Sequence, residues 1–406
     1  LNKGYTPYFY MEVMMRLIKN LLGKLIRLLY RLVYRLIPCQ NDTVLFISFH
    51  GRGYSDNPMA LHKYMSTHLK YQKYRCIFAI KNHKEKNIEI ENAKIIEYFS
   101  IPYFYYLARS KYWIVNCKLP KYVLKKPNQI YLQTWHGTPL KKLAHDIEVP
   151  EGTTFYRSEM TVEQMCSTYD NDVSKYNYMI SPSAFTTEVF QSAFKIDQAR
   201  LIETGYPRND ILSNYKEHDL DVIKSKLKIP KDKKVILYAP TWRDNSYNLK
   251  GYTFKLKVDF KKWQEILGDD YVVIFKPHYL IVNDFDLEGV KDFVYFVDPK
   301  EDIGNLYLIA NILVTDYSSV FFDYAILKRP IYFYMYDLDS YRDELRGFYL
   351  DIYYELPGEV IEDETILLNK IEMNDFNFDK LTKFNQRFNN HEDGNASKRV
   401  LDILFK

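Results

Sequence analysis

Cysteine is scarce in this 406-residue chain: Cys39, Cys76, Cys117 and Cys166 are widely spaced and form no C-x-x-C pair. That spacing argues against a disulfide framework or a zinc knuckle and fits a reducing compartment. Glycine (14) and proline (16) are too few for a fibrous or linker-like chain. No uncharged apolar run approaches the roughly 18–20 residues that span a bilayer. A Walker A loop, a G-x-S-x-G elbow and an H-E-x-x-H pair are absent, which argues against the chemistries those motifs carry. D-x-D triples stand at Asp170/Asp172, Asp284/Asp286 and Asp337/Asp339, but none clearly ends a strand, and no metal site is expected. Internal repeats and low-complexity tracts are lacking too.

What is present is a folding composition, 47% apolar and 27% charged, on a chain too long for one compact domain. The net charge of +4 is unevenly placed. Lys3, Arg16, Lys19, Lys24, Arg27, Arg31 and Arg35 face a single acid, Glu12, before Pro38, so the rest of the chain is slightly acidic. A duplex-binding protein carries its excess on the folded body, and no nucleic-acid partner is expected. In residues 13–37 a cation recurs every three or four positions between Leu, Ile, Val and Tyr, with Arg27, Arg31 and Arg35 on one helical face. That pattern predicts a helix lying on an anionic membrane surface; packing on its own domain is the plainer reading. No small-residue cleavage site follows it. The chain opens on Leu1, leaving Met11 or a non-ATG codon as alternative starts.

After Pro38, short apolar runs alternate with helical stretches. Strands are expected at Val44–Ser48, Cys76–Ile80, Lys94–Phe99, Tyr112–Asn116, Gln129–Gln133, Tyr178–Ser181 and Leu201–Thr204, with helices such as Met59–His68 and Ala184–Phe194. A Lys-rich stretch, Tyr215 to Lys234, reads as the boundary. The rhythm then restarts with strands at Val235–Tyr238, Tyr271–Lys276, Phe293–Val297, Ile312–Thr315 and Ile331–Tyr334, helices near 258–267, 302–310 and 318–328, and a helical tail from Asp375. The pattern predicts two α/β domains with parallel sheets, ligands binding beyond the carboxyl ends of the strands.

The chemistry-bearing residues fall at those ends. In Gln133-Thr134-Trp135-His136-Gly137-Thr138-Pro139-Leu140-Lys141-Lys142, Thr138 reads as an N-cap and Pro139 as a first helical residue, a seat for phosphate. His136 stands before it as a candidate general base. In Tyr271 to His278 a buried strand ends in Lys276-Pro277-His278, a cation and an imidazole suited to a diphosphate and its leaving group. In Ile312 to Tyr324 a strand runs into Ser318-Ser319, whose hydroxyls and helix start suit a phosphate, and Asp323 one turn on suits a sugar or polyol hydroxyl. Weaker elements are Pro240-Thr241-Trp242-Arg243-Asp244, Gly205-Tyr206-Pro207-Arg208-Asn209-Asp210 at the domain junction, and Phe49 to Pro58, an acceptor-side loop with Gly51, Asp56 and Asn57.

These motifs, WHGTPLKKL (135–143), GYPRND (205–210), APTWRD (239–244), KPH (276–278) and TDYSSVFFDY (315–324), resemble the CDP-glycerol glycerophosphotransferases of Gram-positive wall teichoic acid synthesis. SFHGRGYSDNP (48–58) looks like the corresponding N-terminal loop. The resemblance implies a GT-B fold, two Rossmann-like domains facing across a cleft. With the boundaries read from the residues, 1–38 is expected as the basic membrane-surface helix, 39–220 as an acceptor domain, and 221–406 as a CDP-glycerol-binding domain whose last helix crosses back in one arrangement. It implies glycerol phosphate transfer from CDP-glycerol to a hydroxyl of an undecaprenyl-diphosphate-linked acceptor, with CMP released, no further cofactor, and a peripheral place on the cytoplasmic membrane face.

The family's paired histidines map onto His136 and His278. Nucleotide and phosphate binding map onto Thr138, Arg208, Thr241, Trp242, Lys276, Ser318, Ser319 and Asp323, with Gly137, Pro139, Leu140, Arg243 and Pro277 beside them. The shorter form resembles the primase branch. Ribitol phosphate and capsule enzymes share these motifs, and a nucleotide-sugar glycosyltransferase or a non-catalytic membrane-binding protein are the competing readings.

Overall fold

The computed structural model describes residues 24–25, 27–149, 154–155, 160–241, 247–248, 251–252, 257–277, 288–298, 301–338 and 347–406. The first domain is a 7-stranded sheet. Its strands are β1 (Gln40–Ile47), β2 (Arg75–Ile80), β3 (Ala93–Glu97), β4 (Ser110–Val115), β5 (Ile130–Gln133), β6 (Tyr178–Ser181) and β7 (Leu201–Glu203). Their order is β3-β2-β1-β4-β5-β6-β7, all parallel. The second domain is a 6-stranded parallel sheet of β8 (Lys234–Ala239), β9 (Tyr271–Phe275), β10 (Val294–Phe296), β11 (Ile312–Thr315), β12 (Ile331–Tyr334) and β13 (Val360–Ile361). Its order is β10-β9-β8-β11-β12-β13.

Parallel strands covered on both faces read as continuous apolar runs, and here they do. Val44 to Ile47 and Val235 to Tyr238 are each almost wholly buried. One face of the first sheet packs Leu45, Ile77, Trp113 and Tyr131. The other packs Val44, Phe46, Phe78 and Ile114. Strand order reverses between β1 and β4 in one sheet and between β8 and β11 in the other. Such switch points open a crevice at the strands' carboxyl ends. The loops after β1 and β4, and after β8 and β11, therefore form the walls of the site.

The domains exchange parts. The final helix, Ala396–Leu404, puts Val400, Leu401 and Leu404 into the first domain's core. Asp210 caps its start, accepting from Ala396 N and Ser397 N at 2.8 Å each. Leu140, from the loop after β5, and Leu212 pack in the second domain's core. The expected boundary at 220/221 falls inside a helix, Glu217–Lys226. The Lys-rich stretch is amphipathic: Leu220, Ile223 and Leu227 pack on the second core, and Lys224 folds back to donate to Lys231 O and Lys233 O at 3.3 and 2.8 Å.

Before β1 the chain is helical at 24–25 and 27–36. Tyr30 is buried and its hydroxyl donates to Leu124 O at 2.8 Å; the Tyr34 hydroxyl donates to Lys125 O at 3.1 Å. Leu25, Leu28, Leu29, Leu32 and Leu36 remain exposed, each at half or more of its surface. Among the described residues no helix is long and apolar enough to cross a membrane.

Candidate active site

Asn116, the residue after β4, organises the first wall. Its side-chain oxygen accepts from Phe49 N at 2.7 Å, its side-chain nitrogen donates to Asp56, and its carbonyl accepts from His136 Nδ1 at 2.7 Å. Holding the proton on Nδ1 leaves Nε2 of His136 as the lone-pair nitrogen. Burial and, less strongly, Arg208 disfavour the imidazolium and outweigh the opposing Asn116 carbonyl and Asp56, so the pKa lies below the ordinary histidine value. The ring stacks on Trp135 at 4.5 Å and meets the edge of Phe49 at 5.6 Å. Trp135 is itself wedged against Phe190 and Phe194, which fixes the ring's plane.

The expected helix after Thr138 does not form. Its backbone groups pair across the chain instead: Tyr349 N donates to Leu140 O at 2.8 Å, Lys142 N donates to Gly347 O at 3.0 Å, and Lys141 bridges Phe348 antiparallel. Peptide groups committed to residues 347–349 cannot close i to i−4 bonds. The phosphate seat read at Thr138-Pro139 as a helix start is thereby withdrawn. Thr138 is buried and Leu140 is core.

Arg208 joins the walls. Its Nη1 donates to Asp56 at 2.9 Å and its Nη2 to Asp323 at 2.7 Å, and its backbone N donates to Asn57 at 3.0 Å. Burial opposes the guanidinium charge, but Asp323 and Asp56 outweigh it and hold the group cationic. Asn57 also donates to Thr134 O and Trp135 O, at 3.2 and 3.1 Å. Asp323, expected to receive a sugar or polyol hydroxyl, accepts from Arg208 at one oxygen and from Asn209 at 3.0 Å at the other. The helical spacing placed it correctly on the helix, but the sequence could not show that a cation from the other domain would reach it first.

The second wall rises from β8 and β11. Thr241 N donates to Asp316 at 2.8 Å, and the Thr315 hydroxyl donates to Ala239 O at 2.8 Å. The Ser318 hydroxyl accepts from Val320 N at 3.4 Å, at the start of the short helix Val320–Tyr324. The two walls meet at Gly137. A Cβ there would lie 3.4 Å from the Ser319 hydroxyl and 3.6 Å from Arg208 Nη2. Lys276, at the end of β9 with Pro277 beside it, donates from Nζ to Asp298 O at 2.9 Å, and burial lowers its pKa. Trp242, Arg243 and His278 lie outside the described residues. Asn116 was missed by the sequence reading, although an Asn at the end of a buried apolar strand is itself a signal.

Two parallel-sheet domains that meet beside His136 have the GT-B architecture. Residues 28–406 match the family described as CDP-Glycerol:Poly(glycerophosphate) glycerophosphotransferase, and the chain belongs to that family. It is 42% identical over 373 residues to the teichoic acid glycerol-phosphate transferase of Staphylococcus aureus (strain NCTC 8325 / PS 47), covering 89% of this chain and 92% of that one. It is 41% identical to a teichoic acid poly(glycerol phosphate) polymerase of Staphylococcus epidermidis, covering 90% of this chain but only 50% of that longer protein. A solved structure of the wall teichoic acid polymerase TagF, from a variant soaked with CDPG, superposes with a TM-score of 0.86 at 38% identity, covering 98% of both chains.

Proposed function

We propose that the chain transfers glycerol phosphate from CDP-glycerol to a hydroxyl of a lipid-linked acceptor in teichoic acid synthesis. The observation that carries this reading is the His136 pair: Nδ1 donates to the Asn116 carbonyl, so Nε2 is the basic nitrogen beside the interdomain junction. The acceptor oxygen attacks the glycerol-bearing phosphorus and its proton passes to Nε2. The bond from that phosphorus to the bridging diphosphate oxygen breaks, and CMP departs with the electron pair. Lys276 and His278 supply positive charge to the departing phosphate, and Ser318 and Ser319 hold the donor's phosphates. Incubation with CDP-glycerol, CDP-ribitol and UDP-sugars in turn, with a short-chain lipid acceptor, tests this. CMP release with CDP-glycerol supports it; release of UDP alone, or of nothing, overturns it.

Priming is the expectation drawn from the shorter form of the sequence. Likeness to a polymerase is the observation that favours repeated addition. Product length distinguishes them, one unit for priming and a ladder for elongation. The exposed leucines beside Lys24, Arg27, Arg31 and Arg35 support a seat on the anionic cytoplasmic membrane face. Replacing Leu28 and Leu32 with Glu then releases the protein from phosphatidylglycerol vesicles; unchanged sedimentation with the vesicles defeats that seat.

A further inference from the structure

His136 follows a residue in a conformation that side chains with a Cβ rarely adopt. Trp135 has a φ of 51°. A bulky aromatic residue keeps the left-handed region only where its surroundings over-determine it, which is common at functional sites. Three bonds hold the peptides on either side of it. Asn57 Nδ2 donates to Trp135 O at 3.1 Å and to Thr134 O at 3.2 Å, and Trp135 N donates to the Gln133 side chain at 2.9 Å. Asn57 is itself buried, in the first turn of the helix Asp56–Thr67. A residue from another element therefore grips the backbone that carries the imidazole.

The residue before Asn57 controls the far side of the ring. Asp56 is also left-handed, with a φ of 60°, a region that Asp enters more readily than most. Its side chain is 6% exposed and both oxygens are engaged. Oδ1 accepts from Arg208 Nη1 at 2.9 Å, and Oδ2 accepts from Asn116 Nδ2. Asn116 is the residue whose carbonyl takes the His136 Nδ1 proton. Its side chain is held at both ends, by Phe49 N and by Asp56, which fixes the direction of that carbonyl. An untethered Asn116 peptide is free to tilt, and tilting weakens the bond that selects the tautomer with a basic Nε2.

Both residues are fastened to the same cation. Arg208 N donates to Asn57 Oδ1 at 3.0 Å, Nη1 donates to Asp56, and Nη2 donates to Asp323 of the second domain at 2.7 Å. Asp56 and Asn57, expected on the acceptor side, spend these atoms on protein partners.

We propose that Asp56 and Asn57 are positioning residues that clamp His136: Asn57 fixes the peptide that bears the ring, Asp56 fixes the carbonyl that takes its proton, and Arg208 ties both to Asp323 across the domain junction. This rests on the reading of His136 as the base and says what aims it. The clamp acts on the rate of proton removal and leaves substrate affinity to other groups. A general base set askew by about an ångström loses up to roughly a hundredfold in rate.

The test uses D56N and N57A, with CDP-glycerol as donor and a decyl phosphodiester of glycerol as acceptor. In each variant kcat is expected to fall about tenfold to a hundredfold, with both KM values within twofold of wild type. The pH profile separates the two variants. Asp56 favours the imidazolium and Arg208 opposes it, so losing the anion in D56N moves the acidic limb of kcat/KM to lower pH, whereas N57A leaves it in place. Long-range proton–nitrogen spectra of protein labelled with 15N-histidine read the clamp without turnover, the His136 signals being those lost in H136Q. Wild type should show Nδ1 protonated, and D56N a mixture of tautomers. An acceptor KM raised tenfold or more at unchanged kcat overturns the proposal and returns these residues to acceptor binding. A lowered thermal midpoint with kcat, pH limb and spectrum unchanged also overturns it, leaving a structural role. If N57A does not fold, the near-isosteric D56N decides. Near-normal turnover in H136A defeats the base reading, while an unchanged tautomer in D56N defeats the clamp separately.

Discussion

Arg208 and Asp323 are 115 residues apart and form a 2.7 Å ion pair that ties the junction of the two domains into one buried network with Asp56. Two carboxylates from different elements share one guanidinium. Removing one partner of such a pair leaves a buried charge short of its compensation, at a cost of roughly 3–5 kcal/mol. D323A is therefore expected to lower the chemical-denaturation midpoint strongly, and D323N, which keeps one oxygen acceptor, less so. Indistinguishable midpoints for the wild type and D323A would show that the pair does not hold the junction.

His136 is expected to set the rate without setting the fold. H136A should lower kcat by about two to four orders of magnitude while the melting temperature and the CDP-glycerol KM change little. Near-normal turnover in that variant removes it as the base.

The pH profile offers an independent check on the same ring. Burial, with Arg208 nearby, favours the neutral imidazole, so the base form persists at lower pH than for a free histidine. The acidic limb of kcat/KM should have its midpoint below the ordinary value of about 6.5. A midpoint clearly above it contradicts the environment described.

Glu392 lies beside Tyr206 and Asn209 at the crossing of the final segment. Burial, with Asp323 and Asp210 adding repulsion, raises its pKa to about 8 despite the bond from Tyr206 N. The folded state thus holds a proton that the unfolded state releases near its ordinary pKa of 4.5. Stability from this group is full below that value and is lost as pH rises toward 8, with a slope of at most about 1.4 kcal/mol per pH unit. In E392Q that component is absent, so its unfolding free energy should fall less between pH 5 and pH 8 than that of the wild type. Parallel curves would refute the assignment.

Gly51 is the one position in its turn where a side chain has no room. G51A meets Tyr98 at 2.7 Å and a φ of 82° at once. It should destabilise by roughly 1–3 kcal/mol, read as a lower thermal midpoint. An unchanged midpoint would mean that the turn relaxes freely.

Much of the scaffold was legible in the sequence because parallel strands leave continuous apolar runs. Tyr178–Ser181, Ile312–Thr315, Ile331–Tyr334 and the helix Ala184–Phe194 have the expected bounds. The position of His136 after a strand was also readable, since Gly137 and Pro139 end the run. The conformation after Thr138 was not: its capping pattern is local, whereas the bonds that prevail come from Gly347 and Tyr349, about 200 residues away. Asn116 escaped notice for a similar reason, because its three partners belong to three different segments.

Hydrophobic patterning along the chain by itself determined two α/β bodies, strand ends as the places for chemistry, and a basic amphipathic start, because burial of apolar runs is decided residue by residue. Tertiary structure alone decided which charges met. Asp323 met Arg208 from the other domain, the His136 proton went to a carbonyl at the end of a neighbouring strand, and Asn116 met Phe49, Asp56 and His136. A hydrogen bond or ion pair depends on separations of a few ångströms, and those separations arise only when distant segments pack together.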